Sequence, residues 1–465
     1  MIVTPSYFLY LPDVSCGKEL QDISAFPGED AYEEGCKIFN QAYADIKPAF
    51  VAFPRSNQEV QRCLQCSEMH AVPCVVKSGG HSSAGYSTVT SPGYVINLAK
   101  MNAISSIGGD DVNKTVLIQA GAKWGEIYAK MSTSQLIVGG QCPSVGVAGL
   151  TLGGGYGILS RKYGLAIDSV VSMTMVTANG SEVVVANSTT NPDLFWALRG
   201  GGGGNFGIVT DITFETYSVD HEYSNYVLGK LQFEAGAKSQ EALIVVGELN
   251  SELPHKLYLR ISILPTKELV LQSIFFGDLD NACRHLAPIM NLEKDTTFSN
   301  FRSYYDLIRE LEEMVHFAST SGLPEVQRGC IIDKVDESFV KTIFSLDIPE
   351  ECPIYFMHLG GAIAEVEPTA SAYYYRNGQF VFYFECHHDS EEKERLCRAF
   401  GVELFLRLGS EGHCIGNYVN TMDRDLQDWE VKYYGGNYPR LLEIKKRWNP
   451  VGSGYFHFPQ EIGSI

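Results

Sequence analysis

Short apolar runs separated by amphipathic stretches set the pattern of residues 45–220. FVAFPRS, AVPCVVKSGG, GYVINLAKM, KTVLIQAGA, VVSMTMVTANG, SEVVVANS and FGIVTDITFETY are rich in β-branched and aromatic residues and read as strands. NQEVQRCLQCSEMH and KWGEIYAKMSTSQ carry apolar residues at helical spacing. DLFWALRG, behind Asn191 and Pro192, reads as a short helix opened by turn-forming residues. These strands are short and the glycine loops between them long, which predicts an α+β organisation instead of a doubly wound sheet. From 221 to 413 the pattern changes. KLYLRISIL, YFMHLGGAIAEV and QFVFYFECHH alternate with the helical stretches NACRHLAPIMNL and SEEKERLCRAFGVELFLRL. That alternation predicts a second domain, an antiparallel sheet with helices on one face, suited to holding substrate. The segment 414–465 closes the chain, with a helix stopped by Pro450.

Composition narrows the class. The chain has 465 residues, a formal net charge of −19 and 45% hydrophobic residues, enough for a sizeable core. The negative balance argues against nucleic acid and anionic membranes, which need clustered Lys and Arg. No apolar run approaches the roughly 20 residues that span a bilayer. The opening MIVTPSYFLYLPDVS lacks a basic region and does not read as an intact signal peptide. Asn113, Asn179 and Asn187 each begin a glycosylation sequon, which favours a secretory compartment. Twelve cysteines are too few for a disulfide scaffold of this length. Cys63 and Cys66 form a C-x-x-C on a predicted helix with no thioredoxin-like strand before it; one of them is a candidate partner for Cys16. Cys386, His387 and His388 are adjacent on a strand and point to alternate faces, so no metal site is expected there. A monomer or small homo-oligomer is expected.

Two glycine-rich segments carry the candidate chemistry. In SGGHSS, Gly79 and Gly80 leave backbone N–H groups open to a pyrophosphate, and Ser78, Ser82 and Ser83 add hydroxyl donors. His81 would then reach over the ligand's ring; the alternative is a tight turn with an incidental histidine. In GGQCPSVGVAGLTLGGGYG, so much glycine makes sense where a ligand approaches the backbone. Cys142 precedes Pro143 and is presented from extended backbone; the alternative is a buried inert thiol. A third cluster, RGGGGGNFG, contains G-x-G-x-x-G at Gly202, Gly204 and Gly207. It follows a predicted helix and precedes a strand, the reverse of a dinucleotide fingerprint, so the Rossmann reading is rejected.

Taken in order, SGGHSS, QCPSVGVAGLTLGGGYG, RKYGLAIDSV, DLFWALRGGGGGNFGIV, the dipeptide Asn417–Tyr418 and YYGGNYPRLLEIKKRWNP resemble flavoproteins of the vanillyl-alcohol oxidase / p-cresol methylhydroxylase (PCMH) type, and within them the berberine-bridge-enzyme-like oxidases. The resemblance implies a PCMH-type FAD-binding domain of two α/β subdomains at 45–220, a substrate domain at 221–413, and a C-terminal segment, 414–465, that returns to the first. It implies FAD bonded twice, through His81 to the 8α-methyl carbon and through Cys142 to C6. Further cofactor contacts are implied for Val145, Gly146, Gly154, Gly157, Ile208 and Asn437. Val145 matches the small residue that leaves oxygen access open in the family's oxidases. Tyr418 matches the catalytic tyrosine, which takes the substrate's hydroxyl proton. The acidic residue that supports this tyrosine in relatives aligns here with Phe382, when the alignment runs through Arg376–Asn377–Gly378; Glu385 then falls on the opposite face. Leu150 stands where many relatives carry histidine. Phe380, Phe382, Tyr383 and Phe384, with the tyrosines at 373–375, are expected to form an aromatic wall over the flavin, with ordinary sheet packing as the alternative for those that face away.

The expected activity is an FAD-dependent oxidase taking hydride from a small-molecule substrate and using O2 to give hydrogen peroxide. An alcohol or lactol carbon of a saccharide-like compound is the first choice of substrate. Oxidative cyclisation or desaturation of a natural product is the alternative, and a flavin-bound scaffold or redox-neutral cyclase the third reading.

Overall fold

The computed structural model describes residues 15–107, 114–131, 135–218, 225–319, 322–450 and 460–463. The N-terminal half is built mainly on two sheets, with a small two-stranded one pairing Tyr217–Ser218 with Gln135–Leu136. The first orders Ser24–Ala25, Val51–Ala52, Tyr94–Asn97 and Cys74–Lys77, with parallel pairing on both sides of Tyr94–Asn97. The helix Asn57–His70 crosses between two of these strands, capped by the Ser56 hydroxyl, which accepts from Glu59 N. A Cys16–Cys66 disulfide ties that helix to the chain's first described turn. The buried Cys63 thiol is pushed far up by desolvation, which leaves it inert. The second sheet is antiparallel and orders Ile104–Ile107, Thr115–Gln119, Gly207–Glu215, Val170–Thr177 and Val183–Asn187.

The other half is one eight-stranded sheet, antiparallel throughout. Its order is Asp295–Phe301, Tyr226–Phe233, Leu269–Phe276, Leu257–Ile263, Ile354–His358, Phe380–His387, Glu325–Ile332, Cys414–Gly416. Helices Ala237–Leu249, Leu279–Met290, Glu337–Ser345 and Glu391–Ser410 cover one face, and their apolar stripes make a single core with alternate strand residues. The opposite face turns toward the N-terminal half.

That face is docked by buried cations. Arg161 donates to Leu257 O at 2.8 Å and Leu253 O at 3.1 Å, and reaches Leu359 O. Arg376 makes a two-point pair with Asp168, at 2.7 and 2.9 Å. Asn40 binds Ser83 O at 2.8 Å and exchanges hydrogen bonds with the Glu325 backbone at 3.0 and 3.1 Å. These contacts fix the sheet's inward face over the glycine loops.

The strand Phe380–His387 corrects the expected aromatic wall. Phe380, Phe382 and Phe384 lie in the helix-packed core, with Phe382 edge-on to Phe339 at 5.5 Å and to Phe356 at 5.0 Å. Only Tyr383 of the four faces inward, because neighbours on a strand point to opposite faces. Phe382→Ala is therefore expected to cost about 3–5 kcal/mol of stability. The loss would appear in chemical unfolding, with the substrate preference of the folded fraction unchanged.

Candidate functional site

Two cavities meet beneath the inward face. The first, with an empty volume of about 1060 Å3, runs along Ser78, Gly79, Gly80, His81, Ser82, Gly146 and Gly149 to Gly203, Gly204 and Gly207. Gly80 has φ +75° and Gly204 φ +77°, left-handed backbone that glycine adopts without strain. Gly149 and Gly203 have a different reason to be glycine. An added Cβ would meet no protein atom within 4 Å at Gly149 and only Leu152 at 3.7 Å at Gly203. Both line the cavity, so the absence of side chains there keeps open the space along the backbone. A long, mostly apolar channel edged by open N–H groups and serine hydroxyls fits a dinucleotide such as FAD.

The second cavity, about 1430 Å3, shares His81, Val145, Leu150 and Asn420 with the first. His81 and Cys142 come together here. Ser144 Oγ lies 2.9 Å from His81 Nε2 and 3.3 Å from Cys142 Sγ, so one hydroxyl bridges both side chains. The imidazole stacks on Phe39, with ring centroids 4.3 Å apart. Burial, with help from the Lys123 charge, holds His81 down at about 4, which keeps it neutral and nucleophilic near neutral pH. Cys142 is free and partly exposed.

Tyr418 and a cluster of polar groups line the far side of the same cavity. Tyr418 Oη accepts from Gly155 N at 3.0 Å and from Asn420 Nδ2 at 2.8 Å. Burial pushes the phenol up to about 12, and those two donors only partly offset it. Across the sheet, Glu385 projects into the cavity beside Tyr383, Met357 and Arg260. Its Oε1 accepts from Gln327 Nε2 at 3.0 Å. Burial pushes the Glu385 carboxyl above the usual carboxylate range, against the pull of Arg260 and Gln327. The acid expected at Phe382 is thus present three residues on. Sequence reasoning placed Glu385 on the wrong face. The available signal was the alternation in FVFYFECH, where Phe380, Phe382, Phe384 and Cys386 form the apolar set and Glu385 shares a face with Tyr383.

Other expected cofactor contacts lie elsewhere. Ser83 turns away from the first cavity and contacts Met422 O at 3.3 Å. Gly154, with φ +125°, packs beside Tyr418 and Tyr373 and precedes the Gly155 N–H that binds Tyr418. Gly157 lies against Gly139 and donates to Ser160 Oγ at 2.9 Å. Ile208 is buried in the core, whereas its neighbours Gly207 and Val209 reach the cavity, as strand alternation requires. Asn437 ties a turn to the Pro368 and Ser371 carbonyls at 2.8 and 3.0 Å. Tyr373 meets Tyr418 edge-on at 6.2 Å, and the Tyr375 hydroxyl donates to Val431 O at 2.7 Å, so these tyrosines support the site from outside. Leu150 lines both cavities, and its carbonyl accepts from Asn420 Nδ2 at 2.9 Å. Cys386 sits in the helix-packed core with Cys352 and Cys397, their sulfurs mutually within 4.8 Å, and apart from the adjacent histidines.

Comparison with known proteins agrees with this geometry. Residues 48–186 match the model of the FAD binding domain, and residues 417–463 match that of berberine and berberine-like proteins. An uncharacterized FAD-linked oxidoreductase of Bacillus subtilis, YvdP, is 29% identical over 94% of this chain and 97% of its own. BBE-like 1 of Physcomitrella patens superposes with a TM-score of 0.86 at 22% identity, covering 96% of this chain and 98% of that one. A chitooligosaccharide oxidase superposes with a TM-score of 0.81 at 22% identity, covering 96% and 99%. With its glycine-lined dinucleotide cavity opening onto a second, polar one, the chain is an FAD-linked oxidoreductase, and its two matched regions and full-length relatives are those of berberine-bridge-enzyme-like proteins.

Proposed function

We propose that the protein oxidises an alcohol or lactol carbon of a saccharide-like substrate, with O2 as final acceptor and hydrogen peroxide as product. The observation that carries it is the junction of the two cavities. His81 stands at that junction with Cys142 beside it in the larger space, which Tyr418 and Glu385 also face. His81 and Cys142 would hold FAD by two covalent bonds, with Ser78, Gly79, Gly80, Ser82 and Gly146 along its length. When bound, FAD supplies the hydride acceptor.

The chain's own residues manage the proton. Tyr418 is pushed too high to accept a proton alone near neutral pH. Its role is to bind and orient the substrate hydroxyl, from an oxygen fixed by Gly155 and Asn420. Glu385, with a raised carboxyl pKa, is the better-matched base. Its contact with Gln327 aims the carboxylate into the cavity. The name of the chitooligosaccharide oxidase supports a saccharide-like substrate. The Cys16–Cys66 and Cys330–Cys414 disulfides support an oxidising, secretory compartment. Asn179 is exposed and open to glycosylation, while Asn113 lies outside the described residues.

The test is anaerobic bleaching of the flavin absorbance across mono- and oligosaccharides, aromatic alcohols and alkaloid-like compounds, followed by peroxide detection in air. Bleaching only by compounds without an alcohol or lactol would overturn the substrate reading, and bleaching without peroxide would overturn the acceptor. Val145 lines both cavities. Val145→Leu is expected to slow reoxidation in air by about 10-fold or more while leaving anaerobic reduction within about twofold, as stopped-flow mixing of each half-reaction would show.

A further inference from the structure

Among the described residues, Arg260 is a buried cation with no hydrogen-bond or ion-pair partner. It stands mid-strand in Leu257–Ile263, on the face opposite Leu257, Leu259, Ile261 and Ile263, which pack against the helices. It lines the larger cavity and is only 8% exposed. Its guanidinium carbon lies 5.4 Å from the centre of the Tyr355 ring, and that ring packs on Tyr383 at 5.3 Å. Among the described residues no hydrogen bond and no ion pair satisfies it, and its Nε is buried with no acceptor. Other buried guanidinium groups of this chain differ. Arg161 has the Leu257 carbonyl at 2.8 Å, and Arg376 has both oxygens of Asp168.

A guanidinium does not deprotonate in proteins, so Arg260 cannot avoid the cost of burial by becoming neutral. The carboxyls around it offer little compensation. Glu385 is engaged with Gln327, and Glu312, also at the cavity wall, makes no ion pair with Arg260. Burial pushes Glu385 and the adjacent Glu325 up, and among the described residues neither forms an ion pair with Arg260. What remains is a planar fork of donors, steadied on an aromatic face and open to the space where substrate would lie. Such a fork matches a carboxylate in two-point geometry.

We propose that Arg260 anchors a carboxylate of the substrate, so that this enzyme prefers acidic alcohols or lactols, sugar acids first, over their neutral counterparts. The proposal rests on the reading of the larger cavity as the substrate site. Arg260 stands two strands away from the strand that carries Glu385, so it grips one end of the molecule while the reacting hydroxyl lies at the other. It is a specificity residue and takes no part in the proton transfer.

The test uses the FAD-loaded enzyme and two matched pairs of probes, D-galacturonate with D-galactose and 4-(hydroxymethyl)benzoate with benzyl alcohol. Binding is read from perturbation of the flavin absorption, and reduction is followed separately without oxygen. In at least one pair the carboxylate should bind about 10-fold or more tightly than the neutral partner, as a two-point charge-assisted pair implies. Arg260→Gln should bring that ratio close to unity, and Arg260→Lys should retain part of it. The pair that responds tells a sugar acid from an aromatic acid. Equal binding within both pairs, or no binding by either carboxylate, overturns the proposal. So does an Arg260→Gln enzyme that keeps the ratio, or one that weakens both partners alike and shifts only the pH profile, since Arg260 would then act on Glu385 instead. Carboxylate-selective binding without any flavin bleaching would sink the oxidase reading and leave the anchor standing.

Discussion

Glu385→Gln is expected to slow anaerobic flavin reduction by about 10²- to 10⁴-fold, the range lost with a general base. The substitution keeps the side chain's shape and leaves an amide oxygen to accept from Gln327 Nε2, so the strand and its neighbours should stay in place. What it removes is the basic oxygen. The pH dependence gives the sign. Glu385 must be ionised to take a proton, and burial has moved its ionisation above the ordinary carboxylate range. Reduction by the unmodified enzyme should therefore rise with pH through that raised pKa, and Glu385→Gln should flatten the rise. Tyr418→Phe, assayed alongside, should cost about 10²-fold without abolishing the acidic limb, because the phenol orients the hydroxyl but titrates far higher. If Glu385→Gln reduces at nearly the normal rate, the base is another group. If Tyr418→Phe flattens the acidic limb, the two roles are exchanged.

The error over Glu385 shows what kind of information the sequence held. Spacing from Arg376–Asn377–Gly378 puts the supporting acid at Phe382. A motif at the end of a loop does not set the register of the strand that follows, since one added residue flips every side chain to the other face. The hydrophobic pattern does set it. Phe380, Phe382, Phe384 and Cys386 bury against the helices, so Val381, Tyr383 and Glu385 must face the other way. The cofactor loops were legible for a different reason. Ser78 to Ser82 and Gly146 line the cavity with backbone and hydroxyls, and glycine at Gly149 and Gly203 keeps the cavity open beside the backbone. Gly154, Gly157 and Asn437 were not separable by inspection, because the chain's own packing constrains them equally well: against Tyr373, against Gly139 and against the Pro368 turn. Arg260 carries no motif at all. Its meaning comes from an absent partner, and that is visible only once the neighbouring strands are in place.

Doubling His81→Ala with Cys142→Ala is expected to release all flavin on denaturation, whereas either single substitution should release none. Ser144 Oγ at 2.9 Å from the imidazole and 3.3 Å from the thiol holds the two nucleophiles close together where the cavities meet, so one ring placed there could be reached by both. His81, held neutral by burial, can attack without first losing a proton to solvent. Cys142 is a free thiol whose partial exposure leaves it accessible from the cavity. The measurement is simple: precipitate with acid, wash, and ask whether the yellow colour follows the pellet or the supernatant. Wild type and both single variants should stay yellow in the pellet. Flavin freed from either single variant would mean one tether instead of two. Flavin retained by the double variant would mean that a third residue is bonded. The single variants also separate attachment from reactivity. Each tether restrains the ring and withdraws electron density, so losing one should slow anaerobic reduction while the pellet remains coloured. A single variant that reduces as fast as wild type would show that the second bond serves retention alone.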